Sequence, residues 1–180
     1  MKPELKTLAN FLVQAKKNSW AGKGMNEELE YGIRKVAQYG RSYCEPFELR
    51  YIDQYVGGEP FQGFEVVSEL SPEDKGFWKP IWAMSYSGEY TGTKKEYEEV
   101  INFLREALKA VPINAPFRGP QEYFKKNADN HITYAYFNFW DGNIKKFERG
   151  EERIYKVLNR ESSKKLIYTA QYFGGLVNKR

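Results

Sequence analysis

Near the start of the chain apolar residues recur at helical spacing. Leu5, Leu8, Leu12 and Ala15 form one stripe and Phe11 widens it, so the pattern predicts an amphipathic helix. Pro3 suits the first turn, where its missing N–H costs nothing. Lys16 and Lys17 suit the negative end of the helix dipole, and Gly22 and Gly24 end the pattern. The hydrophobic period then falls to two. Strands are expected near 32–43, 46–56, 62–69 and 79–88. Gly57, Gly58 and Pro60 break the second from the third, and the polar stretch from Ser71 to Gly76 breaks the third from the fourth. No long helix intervenes, so these connections are antiparallel hairpins.

Helical spacing returns at 94–111, where Tyr97, Val100, Ile101, Leu104, Leu108 and Val111 share a face. Thr93 and Glu96 make a capping-box pair, and Pro112 stops the helix. A loop carrying PFRGP (116–120) follows, with a helical turn expected at 120–126. Four strands close the chain near 131–140, 143–149, 152–158 and 164–173. Trp140-Asp141-Gly142-Asn143 reads as a two-residue hairpin turn, Gly150 marks the next turn, and Asn159 to Ser163 the last.

Both halves therefore read as a helix followed by four strands. Asn10-Phe11-Leu12 with Ala15 is matched by Asn102-Phe103-Leu104 with Ala107. Ile81, Tyr86 and Gly88 are matched by Ile167, Tyr172 and Gly174 at the same internal spacing. The expectation is an α+β fold in a single domain, 1–180, built by internal duplication (1–92 and 93–180). Its tandem helix-plus-four-strand units form a curved, mainly antiparallel sheet of about eight strands, with the two main helices on one face. The other face is then solvated or forms a concave aromatic surface.

Composition narrows the function classes. The 180 residues are 41% hydrophobic and 29% charged, enough apolar material for a core and against a disordered chain. No apolar run approaches a membrane span and no secretory signal opens the chain, so a cytoplasmic protein with no membrane partner is expected. A single Cys (Cys44) excludes an internal disulfide or a multi-Cys zinc site, and a single His (His131) excludes a two-imidazole site. His131 has no nucleophile tied to it by any motif and is read as structural or superficial. The net charge of +4 is mild. Lys and Glu interleave in KKEYEEV (94–100) and RGEERIYK (149–156), which describes a solvated surface rather than a basic nucleic-acid stripe. The 14 Tyr, 12 Phe and 4 Trp are the unusual feature, and many fall in strands, where rings line a sheet face.

The most chemical stretch is LRYIDQYVGGEPFQGFEVV (49–67). Tyr51, Asp53 and Tyr55 share one strand face; Phe61, Gly63, Glu65 and Val67 share one on the next. If these strands pair, Asp53 and Glu65 approach each other among aromatic rings. They then act either as an acid–base pair or as carboxylates held by Arg or Lys. Trp82, Met84 and Tyr86 share a face of the following strand, as core or as a stacking wall. Arg118, on the Pro-bracketed PFRGP loop, either binds a ligand carboxylate or phosphate or locks the loop to the strands. The candidate ligand-binding residues are thus Tyr51, Asp53, Tyr55, Glu65, Trp82, Tyr86 and Arg118; no catalytic residue is assigned. Phosphate-loop, dinucleotide, nucleophile-elbow and zinc-protease motifs are absent from the sequence, so neither cofactor nor metal is expected.

The strings FLVQAKKNSWAG (11–22), YIDQYVGGEPFQGFEVV (51–67), KPIWAMSYSG (79–88), ALKAVP (107–112), PFRGP (116–120) and YFGGLV (172–177) resemble an uncharacterised prokaryotic domain family, a domain of unknown function. Its members occur alone or behind a Cro/repressor-type helix-turn-helix domain. The resemblance implies no activity. Its shared pattern picks out Asp53, Tyr55, Gly57, Phe61, Gly63, Glu65, Trp82, Tyr86, Arg118 and Gly119. Three readings follow. The first is a non-catalytic ligand-binding or sensor module, with a small-molecule or protein partner, linked to transcriptional regulation. The second is a small hydrolase-type enzyme using Asp53 and Glu65 with Arg118. The third is an aromatic sheet face that stacks single-stranded nucleic acid or a protein, against which the mild charge argues.

Overall fold

The computed structural model describes residues 4–22, 27–30, 33–44, 47–70, 76–158 and 163–177, with side chains described outside 22–47. Pro3, Gly24, the turn residues 71–75 and 159–162, and the Cys44 side chain lie outside that set. Helix α1 spans Leu5–Asn18 and is followed by a 3₁₀ turn at Trp20–Gly22. The strands β1 (Glu27–Glu30), β2 (Ile33–Cys44), β3 (Phe47–Gly57), β4 (Phe61–Leu70) and β5 (Lys79–Tyr90) precede α2 (Tyr97–Lys109). The strands β6 (Glu122–Lys126), β7 (Ile132–Asn143), β8 (Lys146–Leu158) and β9 (Ser163–Leu176) end the described chain. The fold is α+β. A curved half-barrel of seven antiparallel strands runs β3-β4-β5-β9-β8-β7-β6, and β2 and β1 extend its β3 edge.

The described strands thus number nine rather than eight, for three local reasons. Glu27–Glu30 adds a short edge strand against β2. The stretch read as a helical turn at 120–126 is a strand, β6, because Glu122, Phe124 and Lys126 alternate outward while β7 offers a free edge. The two strands expected at 143–149 and 152–158 are one, β8, running straight through Gly150. The hairpin between β7 and β8 also lies later than expected. Strand pairing continues through Asn143, and Gly142 (φ 101°) sits at an irregularity in the register.

Each helix covers a different part of the inner face. Leu8, Phe11, Leu12 and Ala15 of α1 pack on Leu49, Tyr51, Val67, Trp82 and Met84. Val100, Phe103, Leu104 and Ala107 of α2 pack on Tyr134, Tyr136, Ile154, Tyr168 and Ala170. Phe61, half-buried, touches both clusters. Thr93 and Glu96 meet before α2, the Thr93 hydroxyl donating to the Glu96 carboxylate at 2.6 Å, but not as the expected capping box: Glu96 is itself the N-cap, without a side-chain cap bond, and the helix starts at Tyr97. No described helix is long and apolar enough to cross a membrane.

Candidate functional site

The pairing of β3 with β4 sets Asp53 directly opposite Glu65, Tyr51 opposite Val67 and Tyr55 opposite Gly63. The pairing of β4 with β5 carries the same face across to Met84, Trp82 and Tyr86. Cross-strand partners point to the same side of a sheet. Asp53 and Glu65 therefore stand side by side on the concave face, both buried.

The two carboxylates have different company. Glu65 is 1% exposed and pairs with the Lys16 ammonium, which reaches it from α1. The Tyr51 hydroxyl bonds to it, and Arg118 Nη1 lies 3.6 Å away. Asp53 accepts a 2.6 Å hydrogen bond from the Tyr86 hydroxyl and has no cation within ion-pair distance among the described residues. Arg118 is committed to a third acid, Glu152 on β8: its Nε and Nη2 approach Glu152 Oε2 at 3.0 and 2.9 Å. The Tyr136 hydroxyl donates to the other Glu152 oxygen at 2.5 Å. PFRGP is thereby locked to the strands. Its Gly119 N–H donates to Tyr136 and its Gly119 carbonyl accepts from Asn138 Nδ2 at 2.8 Å. Of the two roles read for Arg118 in the sequence, the geometry shows the loop lock.

Burial governs the charges. Among the described residues, two cations, Lys16 and Arg118, face two acids, Glu65 and Glu152, and Asp53 is the surplus acid. Its pKa is pushed up from 3.8 to about 7, first by burial and then by repulsion from Glu65. The Tyr86 bond, Lys16 and Arg118 oppose the rise. Burial pulls Lys16 below the ordinary lysine value while Glu65 resists. Burial also opposes the Arg118 charge, but Glu152, Tyr168 and Glu65 outweigh it and hold the guanidinium firmly protonated. Burial, then nearby acids, raises the Tyr51, Tyr86 and Tyr136 phenols, so they act as donors.

Above Asp53 opens a cavity of about 340 Å³ between the concave sheet face, α2 and the turn at Trp20. Asp53, Tyr55, Tyr86 and Arg118 line it, with Phe61, Tyr90, Tyr97 and Tyr168 as aromatic walls. Phe61 stacks near-parallel on Tyr168 at 6.0 Å, and Tyr90 meets Tyr97 edge-on at 5.3 Å. Of the residues singled out in the sequence, Tyr51, Glu65 and Trp82 do not line the cavity. They lie beneath it, between the sheet and α1, with Trp82 fully buried. His131 is exposed and does not line the cavity.

The sequence reading missed Lys16, Glu152, Asn138, Trp20 and Arg105. Lys16 had a readable signal, because it falls four residues after Leu12 on the apolar stripe rather than on the solvated face. It is 7% exposed, so its partner is the Glu65 carboxylate more than the helix dipole. Arg105 of α2 lines the far side of the cavity, its guanidinium 4.8 Å from the Trp20 ring centre.

A second arrangement on β7, β8 and β9 matches the first. Asn138 stands opposite Glu152, Tyr136 opposite Ile154 and Trp140 opposite Gly150. Tyr172, opposite Gly150 on β9, donates its hydroxyl to Asn138 Oδ1 at 2.7 Å. Tyr86 and Tyr172 are themselves cross-strand partners at the β5–β9 seam.

Fold and site together define an α+β half-barrel with a carboxyl-floored aromatic cavity on its concave side. Residues 53–177 match the family model described as a domain of unknown function, DUF5680, and the chain belongs to that family. No curated protein and no solved structure matches it.

Proposed function

We propose that this protein is a non-catalytic small-molecule-binding module, with its ligand held in the cavity between the concave sheet face and α2. The observation that carries this reading is the cavity itself: about 340 Å³, aromatic-walled, with an Asp53 carboxyl at the floor that lacks an ion-pair partner among the described residues. Ligand sites are concave, mainly apolar and furnished with a few placed polar groups, at volumes of roughly 300–1,000 Å³. The candidate ligand contacts are Asp53, Tyr55, Tyr86 and Arg118; Tyr51, Glu65 and Trp82 support them from below. The sequence resemblance to a prokaryotic domain that trails repressor-type helix-turn-helix domains extends the proposal to a cytoplasmic sensor linked to transcription.

The acid–base reading has less support. It needs two carboxylates opening on one pocket, and Glu65 is enclosed by Lys16, Tyr51 and Arg118. We also read the chain as a tandem duplication with its boundary near residue 92. Three features support this: the correspondence of Asp53–Glu65–Gly63–Tyr86 with Asn138–Glu152–Gly150–Tyr172, the seam at Tyr86 and Tyr172, and one helix over each set of strands.

Native mass spectrometry of the purified protein and of Asn102→Trp, which fills the cavity from α2, tests the binding role. A discrete extra mass that is lost on denaturation and missing from the variant is the expected result. A bare mass, combined with no saturable thermal shift from any compound of a fragment library, would overturn the reading.

A further inference from the structure

The cavity walls and the charges beneath them narrow the ligand class, given that the cavity is a ligand site. We propose that the ligand is a small organic cation with an apolar or aromatic body, and that Asp53 is its counter-ion.

Lys16 with Glu65 below the cavity, and Arg118 in its wall with Glu152, are already neutralised as pairs. Among the described residues, an ionised Asp53 leaves that cluster one negative charge in excess, in a buried place where an unmatched charge is costly. The free protein resolves the excess by holding a proton on Asp53 until the pH approaches about 7. A ligand bearing one positive charge resolves it as well, by replacing the proton. A neutral ligand leaves Asp53 as it is, and an anion cannot replace the proton.

The walls agree with this chemistry. Tyr55, Phe61, Tyr86, Tyr90, Tyr97 and Tyr168 line the cavity with aromatic rings, as does Trp20. Ring faces attract cations, and more strongly where water is excluded. The site already uses this contact, since the Arg118 guanidinium lies 5.3 Å from the Tyr86 ring centre. The groups bearing on Asp53 come from each packed element: Tyr51 on its own strand, Glu65 on β4, Tyr86 on β5, Lys16 on α1 and Arg118 on the PFRGP loop. Its backbone partner on β2 is Val36, and the side chains of β2 lie outside the described residues. At the α2 end Arg105 and Glu98 line the cavity with opposite charges, and at the Asp53 end Arg118 is held in its pair with Glu152, which leaves Asp53 as the acid free to meet a cation among the described residues. The charged head is therefore placed at the Asp53 end and the apolar body toward Trp20.

Binding of this kind releases a proton. Below the Asp53 pKa the free carboxyl is protonated and the bound one is ionised, so affinity for a permanent cation rises with pH and levels off above about 7. Calorimetry of benzyltrimethylammonium, its neutral isostere neopentylbenzene and the anion phenylacetate tests this at pH 6 and pH 8, in buffers of different ionisation enthalpy. The expected result is at least tenfold tighter binding of the cation than of the isostere, with release of close to one proton at pH 6 and little at pH 8. Asp53→Asn should abolish that preference and the proton release while still binding the isostere. If the isostere or phenylacetate binds and the cation does not, the cavity is a ligand site and the cation assignment is wrong. Cation binding without proton release at pH 6, and undiminished in Asp53→Asn, overturns the role of Asp53. If none of the three binds, the cation assignment also fails, and the native mass and fragment thermal-shift measurements decide whether the cavity is a ligand site.

Discussion

Asp53 and Asn138 occupy matching places in the sheet. Asp53 lies opposite Glu65 and accepts from Tyr86 at 2.6 Å; Asn138 lies opposite Glu152 and accepts from Tyr172 at 2.7 Å. The difference is a single terminal atom group, and it decides which position can carry charge. At Asn138 the amide donates to the Gly119 carbonyl at 2.8 Å, closing the position with the PFRGP loop. At Asp53 the corresponding space belongs to the cavity.

The first prediction concerns pH. Asp53 has a folded-state pKa of about 7 against an ordinary 3.8, so the folded protein holds a proton that the unfolded chain gives up. The sign follows: stability is greatest below the unfolded pKa and falls as pH rises from about 4 to about 7. At 1.36 kcal/mol per unit, the loss is on the order of 4 kcal/mol. Asp53→Asn removes this slope. Urea denaturation should show the variant close to the wild type at pH 4.5 and more stable at pH 8. Parallel curves for the two proteins across that range would refute the assignment of the slope to Asp53.

Lys16 is the next case. Replacing it with Met leaves Glu65 buried with only Tyr51 and a distant Arg118 contact. Breaking one side of a buried pair costs about 3–5 kcal/mol, whereas replacing both sides with apolar residues is often neutral. Lys16→Met alone should therefore lower the urea midpoint sharply, and the Lys16→Met/Glu65→Leu double variant should recover most of the loss. Additive losses in the double variant would mean that the two side chains stabilise the fold independently.

Alternation put Asp53 and Glu65 on strand faces either side of the Gly57–Pro60 break, so that pairing of the two strands would bring them together, and the β3–β4 register meets that condition. The sequence also carried the Tyr86 and Tyr172 match, since both strands share the same spacing of Ile, Tyr and Gly. Other features were hidden for physical reasons. Gly150 looks like a turn residue, but its role is to make room. A Cβ there would lie 2.2 Å from the Tyr172 ring, so the glycine sits within a strand and under an aromatic side chain. Arg118's partner Glu152 was masked by its neighbours Glu151 and Arg153, which make the segment read as solvated surface although alternate residues point into the core. The cavity depends on how far α2 stands from the sheet, and no local pattern encodes that distance.

Gly63 provides a third test, because it plays the part for Tyr86 that Gly150 plays for Tyr172. A Cβ at Gly63 would lie 2.5 Å from the Tyr86 ring and hydroxyl and 2.5 Å from the Gln54 carbonyl. Gly63→Ala should displace the Tyr86 hydroxyl from Asp53 and cost about 1–3 kcal/mol, the usual range for overpacking. Gly58→Ala is the control: nothing lies within 4 Å of its Cβ, so its stability should stay within about 0.5 kcal/mol of wild type. Near-UV circular dichroism should change in the first variant and not in the second. Equal behaviour of the two would show that Tyr86 is not held by the fit over Gly63.

The final prediction transfers the titrating group to the other half of the sheet. In Asn138→Asp a protonated carboxyl can still accept from Tyr172 and donate to the Gly119 carbonyl, so both contacts survive. Once ionised, the same group faces that carbonyl with no proton to offer and lies beside Glu152, which is 0% exposed. Burial and the neighbouring acid raise the folded pKa of such a carboxyl, so its cost is absent in acid and grows as pH rises. Asn138→Asp should match wild-type stability near pH 4 and fall progressively behind it toward pH 8, opposite to Asp53→Asn. The Asp53→Asn/Asn138→Asp exchange should restore a pH slope of wild-type sign with no titrating group at the cavity floor. Denaturation midpoints of the four proteins at pH 4.5, 6 and 8 check the set. A pH-independent loss in Asn138→Asp would show that its cost is steric or a lost amide bond, not the charge.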